Sequence, residues 1–172
     1  MLRSAIRTLV STASDAGPLI ARVVVALVIA PHGGQHALGM FGGFGFSGTL
    51  GWMTKTLGFP APLAALGIVT ELLAPFALLV GLGGRLAALG IFGLMLGAAS
   101  THLGNGFFMN WFGTLPAGTE GFEYHVLVLA LAAIVVVQGS GALSLDARLA
   151  DALRGRGAGA GAAAGSPIVR AA

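Results

Sequence analysis

The sequence predicts an all-α integral membrane four-helix bundle, and three observations carry that expectation. Its 172 residues are 56% hydrophobic and only 9% charged, with mean hydropathy +0.91, whereas soluble domains are about one quarter charged. Four apolar stretches approach the roughly 20 helical residues that cross a hydrocarbon core about 30 Å thick. No stretch alternates with the two-residue period of a membrane β-barrel. So few ionisable groups could not cover a water-exposed surface, so the lipid bilayer is the natural solvent.

The same numbers exclude several functions. The calculated pI of 10.7 reflects only nine basic against six acidic residues, a net charge of +3. That is no basic stripe for nucleic acid. The chain has no cysteine, which removes disulfides, thiolate metal sites, iron–sulfur ligation and dithiol redox motifs. Any electrons must travel on a bound cofactor or a partner.

Residues 1–17 form an N-terminal segment, 18–153 the four-span domain, and 154–172 a Gly/Ala-rich tail expected to be disordered. The first span covers about 18–38, with Pro31 and the Gly33–Gly34 pair interrupting its second half. The second covers about 61–82 and opens on FPAP, where proline suits a helix start. The third, about 85–104, follows the GLGG turn, and the fourth, about 122–139, stops at Gly-Ser-Gly. Residues 40–59 alternate glycine with aromatics and read as an interfacial or re-entrant segment between the first two spans. Residues 105–122 have a similar composition.

Loop charges set the orientation. Arg3, Arg7 and Arg22 precede or open the first span, Arg85 lies in the second connection, and Arg148, Arg154 and Arg156 follow the fourth span. The first connection carries only Lys55 and the third neither Lys nor Arg. Both termini are therefore expected in the cytoplasm of a multi-pass protein of the bacterial inner membrane. A cleaved signal peptide would instead leave three spans and a basic tail outside, against the charge rule.

Small residues suit close packing in lipid. Gly93 and Gly97 form a GxxxG step in the third span, and Ala74, Ala77 and Gly81 mark the second. Chance in a chain with 29 glycines accounts for them equally well.

Ionisable groups inside spans are costly and point to function. Glu71 lies about 16 Å from Pro60 at 1.5 Å per residue, near mid-membrane. Pro75 lacks an N–H and so frees the Glu71 carbonyl. His32 and His36 lie about 15 and 21 Å beyond Arg22, His102 about 25 Å beyond Arg85, and His125 opens the fourth span. All four histidines thus fall in the outer half of the bundle. Arg22 either snorkels to the inner headgroups or turns inward as a structural ion pair with Asp146. Glu120 and Glu123 mark the outer interface.

Several chemistries fit these groups. A quinone or other small-molecule pocket would use Glu71, His32, His36, His102 and His125 to exchange protons with a headgroup. Haem held by two histidines fits less well, and no metal-ligand pattern stands on an unbroken helix. Alternatively the histidines simply sit near the wet interface and Glu71 fixes packing. No cofactor and no self-contained catalytic motif is fixed by the residues.

Taken in order, several motifs resemble the DoxX family of small bacterial membrane proteins. They are Arg22, then HGGQH at His32–His36, GFPAP at Gly58–Pro62, and Glu71 with LLVGLGGRLAALG at Leu78–Gly90. THLGNGFF at Thr101–Phe108, EYHVLVL at Glu123–Leu129 and GSGALSLD at Gly139–Asp146 complete the set. One departure is His36, where the family commonly has Lys; a permanent charge is replaced by a titratable one. The resemblance implies a four-helix membrane fold and an association with redox systems, in some members with thiosulfate:quinone oxidoreductases. It points to an accessory subunit of a quinone-linked or other redox membrane system. A non-catalytic subunit packed on a larger complex, or on copies of itself, and a small proton-coupled permease are the alternatives.

Overall fold

A computed structural model describes residues 6, 8–12, 15–116 and 118–163, with side chains through residue 154. Its elements are α1 (Ala16–Leu38), α2 (Gly45–Lys55), α3 (Ala61–Val80), α4 (Gly84–His102), α5 (Glu123–Gln138) and α6 (Leu145–Ala163), with single 3-10 turns at Met40–Gly42 and Leu103–Asn105. There is no strand among the described residues. Helices α1, α3 and α4 (with the 3-10 turn that extends α4) are each long and apolar enough to cross a membrane. The fourth apolar helix, α5, has 16 residues rather than the 18 expected, about 24 Å at 1.5 Å per residue. It is trimmed because residues 121–123 pair with the preceding loop and Gly139 turns the chain away.

These four helices close a ring in which α1 packs on α3, α3 on α4, α4 on α5 and α5 back on α1. Each turns one stripe inward at helical spacing. On α1 the stripe is Ala21, Arg22, Val25, Ala26, Ile29 and Gly33; on α3 it is Ala64, Ile68, Glu71, Ala74, Pro75 and Leu78. Ala88, Ile91 and Met95 of α4 meet Val128, Ala132 and Val135 of α5. Opposite faces present exposed Leu27, Leu66, Leu73, Leu86 and Val137. Apolar residues both inside and outside are what a lipid-embedded helix requires.

Three expectations need correction. First, α1 runs unbroken through Pro31 and Gly33–Gly34 to Gly39, which caps it at φ 71°. Gly33 is buried against α3, and this packing holds the helix where local propensity would break it. Second, Gly93 of the GxxxG step has nothing within 4 Å of the place a Cβ would occupy, so it does not mediate close packing. Gly33 does: a Cβ there would overlap the Glu71 carbonyl oxygen and come within 2.8 Å of Leu72 Cα. The carbonyl that Pro75 frees lies where two backbones meet. Third, helix α6 extends to Ala163, ten residues into the segment assigned to a tail, because Ala supports helix where Gly was read as disorder. Residues 164–172, and Arg3 and Arg7 of the N-terminal segment, lie outside the described residues.

The segment after α1 is helical. Helix α2 packs on both α1 and α3 and brings Trp52 and Met53 to the ring. The connection after α4 has no helix beyond Asn105 among the described residues and is held by polar contacts instead. Asn105 Nδ2 donates to the Gly118 and Glu120 carbonyls at 3.2 and 3.0 Å, and Glu123 accepts from Met109 N and Trp111 Nε1, each at 3.2 Å.

Candidate functional site

The two ends of the ring carry different polar chemistry. At the end where α1 begins, Arg22 is 1% exposed and its guanidinium is surrounded by carbonyls. It donates to Leu78 and Leu79 at 2.5 and 2.7 Å, to Ser140 at 2.7 Å, and to Ala142 and Leu143 at 3.2 and 3.0 Å. Leu78 and Leu79 end α3, whose last carbonyls lack helical donors and carry the negative end of the helix dipole. Asp146, also 1% exposed, does the converse for α4: it accepts from the amides of Gly83 and Gly84 at 2.9 and 3.0 Å.

Arg22 and Asp146 therefore do not form the direct ion pair expected of them. Ser140 joins them, its carbonyl accepting from Arg22 and its hydroxyl donating to Asp146 at 2.6 Å. Each charge is drawn to a helix end of opposite sign rather than to the other. Arg85 repeats the device, donating to the Val136 and Val137 carbonyls that end α5. The GLGGR and GSGALSLD motifs are accounted for by this structural knot.

At the opposite end the side chains line a half-open cavity of about 500 Å³ between α1, α2, α3, α4 and α5, within the usual range for small-molecule sites. His32, His36, Glu71, His102 and His125 all line it. The structure thus brings every candidate pocket residue to one space, and rotation of α3 turns Glu71 inward in register with Ile68 and Leu78. Glu71, 6% exposed, meets His36 through Oε2 and Nδ1 at 2.6 Å. His32 is one turn back on the same unbroken helix, its ring centroid 6.3 Å from that of His36. On α4 and α5, the His102 and His125 rings stack at 4.9 Å and 35°. His102 Nδ1 is bonded to the Glu120 carbonyl at 2.7 Å, which fixes that ring to the connection after α4.

One group was not singled out by sequence. Tyr124 lies edge-on to His125, centroids 5.4 Å apart, and lines the cavity. Tyr124 Oη is buried without a hydrogen-bond partner, and such an orphan costs about 1–3 kcal/mol. Tyr124 stands beside His125 in EYHVLVL, but nothing in a uniformly apolar helix said which way it faces. Gly93 and Gly97 of α4 also line the cavity; their bare backbone gives it depth. Among the described residues, no three His, Asp or Glu side chains converge as a metal-ligand set.

Residues 17–111, more than half of the chain, match the DoxX family. The chain belongs to the DoxX family. The DoxX match covers α1 to α4 and so includes Arg22, His32, His36, Glu71 and His102, whereas Tyr124, His125 and Asp146 lie beyond it. Comparisons with curated proteins and with solved structures find no match. As a DoxX protein with apolar helices of spanning length, the chain is a membrane protein.

Proposed function

We propose that this DoxX protein is an accessory subunit of a quinone-linked redox system in a bacterial inner membrane. All four apolar helices cross the bilayer with both termini cytoplasmic, as the arginine distribution favours. Helix α2 lies at the outer leaflet as an interfacial or re-entrant element, and the bilayer thins or the ring tilts to accommodate the short α5.

One observation carries this reading: a carboxylate–imidazole pair, Glu71–His36 at 2.6 Å, on the wall of a mainly apolar cavity in a membrane protein. An ionisable pair kept at membrane depth without a chemical role is a cost with no return. Reducing a quinone to a quinol consumes two electrons and two protons. With no cysteine in the chain, the electrons come from a partner redox subunit. Glu71 and His36 hold a proton between Oε2 and Nδ1 and pass it to a ligand oxygen, then recover one from the outer aqueous face. The cavity's apolar walls exclude water and admit the ring from lipid.

Purification from native membranes in mild detergent tests this. The expected result is co-purification with redox subunits and extractable quinone. Glu71→Gln should weaken quinone binding about tenfold or more, since hydrogen bonds to charged groups contribute about 1.5–3 kcal/mol. A protein that purifies alone and binds no quinone sinks the proposal.

A further inference from the structure

The half-open cavity does not end at its polar groups. On its α3–α4 side it is lined by Leu66 and Leu89, which are 62% and 54% exposed, so it opens there toward lipid. From that side an open groove of about 540 Å³ follows the seam between α3 and α4 toward the Arg22 end. Leu66, Thr70, Leu89 and Gly90 line both spaces, and the groove thus continues the cavity. Along α3 its wall recurs at Leu66, Thr70, Leu73 and Ala77, one stripe at helical spacing, about 16 Å long at 1.5 Å per residue. Small residues on both sides, Ala77 on α3 with Ala87 and Gly90 on α4, keep it open.

Polarity changes along this path. Glu71 and the histidines line the cavity, whereas Thr70 is the one polar side chain lining the groove, and it stands where the two spaces meet. A polar recess that leads into a long apolar trough is complementary to an amphiphile with a polar ring and a flexible apolar chain. Resting on the quinone reading above, we infer that the α3–α4 groove seats the apolar tail of the quinone whose ring enters the cavity. The ligand class is then a polyprenyl quinone, and Ala77 is a specificity-determining residue for its tail. Lipid chains compete for the same groove, so hydrophobic exclusion contributes little to the choice. The tail's advantage is that its ring is already anchored, which raises its local concentration at the groove. A fixed wall then gives it dispersion contacts.

Ala77 lines the groove but not the cavity, so tail and ring can be tested apart. Trp111→Phe leaves Trp52, which lines the cavity, as the one tryptophan of the chain. In lipid nanodiscs, saturable Trp52 quenching of this full chain is followed with trimethyl-1,4-benzoquinone and with its geranyl derivative. Affinities are expressed as mole fraction in the bilayer, so that partitioning cancels. The geranyl quinone is expected to bind about fivefold more tightly, a modest gain because each dispersion contact is small. Ala77→Leu should remove that advantage and leave the tailless quinone unchanged. Ala130→Leu, exposed on α5 outside both spaces, should change neither. A geranyl quinone with a diazirine at the end of its tail gives a second readout that needs no groove variant. It should photolabel residues 73–90, and excess geranyl quinone should suppress the label. Equal affinity for the two quinones, an unchanged preference in Ala77→Leu, or label spread over the other lipid-facing helices overturns the tail groove while leaving quinone binding intact. No saturable quenching by either quinone overturns both the groove and the function on which it rests.

Discussion

The Arg22 end and the histidine end of the ring use the same few polar residue types for opposite purposes. Around Arg22 each strong donor and acceptor finds a partner: five bonds from one guanidinium, three to one carboxylate, and a serine joining them. Around Glu71 the groups are only partly matched, and Tyr124 Oη is buried with no hydrogen-bond partner. A fully satisfied buried network fixes one structure; a partly satisfied one stores the capacity to bind. The first end holds the helices in register, and that rigidity lets the second keep a cavity.

The contrast is broken most severely at Arg22. Replacing it with Leu removes the donor to the Leu79, Ser140 and Ala142 carbonyls, while Leu78 keeps only the Gly81 amide. A loss of about 3–5 kcal/mol is expected, as for other broken buried charge networks. It would be seen as a large drop in the thermal unfolding midpoint in detergent, or as failure to accumulate in the membrane. An Arg22→Leu protein that unfolds like its parent would show that the knot is not what holds this end.

A smaller effect is expected at Gly33, where the two ends meet mechanically. Alanine there forces a methyl against the backbone of Glu71 and Leu72, and overpacking costs about 1–3 kcal/mol. The displaced helices should also part His36 from Glu71, so quinone affinity falls together with stability. Stability unchanged in Gly33→Ala would mean that α1 and α3 can move apart freely.

The pairing of His36 with Glu71 is next in size. A double-mutant cycle with His36→Ala and Glu71→Gln, followed by thermal unfolding, should give a coupling of about 0.5–3 kcal/mol, the range for residues in contact. Additive losses would mean that the 2.6 Å contact contributes nothing net. His36→Lys sharpens the test: it should preserve the pair with a permanent charge.

How much of this was legible in the sequence follows from what each signal measures. Hydropathy integrates over a whole span, so the apolar helices and their order were readable, and depth counting placed the histidines at one end and Glu71 near mid-membrane. Rotation was not readable. The helices are apolar all round, and without a polar face the sequence does not reveal that Glu71 points at His36 or that Tyr124 reaches the cavity. Breakers were over-read for the same reason: Pro31 and Gly33 lie in an unbroken α1 because tertiary packing, absent from a local count, outweighs propensity. Arg22 and Asp146 were expected to seek each other. The stronger partners were helix ends, whose partial charges come from backbone and have no letter in the sequence.

Gly93→Ala is the smallest expected change and the closest control on Gly33→Ala. Both replace one glycine in a helix of the ring by one alanine, so both gain the same intrinsic helix preference, at most about 1 kcal/mol. At Gly33 that gain is overwhelmed by contact with α3; at Gly93 no atom lies within 4 Å of the new methyl. Unfolding should therefore be unchanged or slightly later, while the cavity loses depth and the quinone binds less tightly. A destabilised Gly93→Ala would place that glycine among the packing residues after all, and the cavity would have to be narrower than its lining indicates.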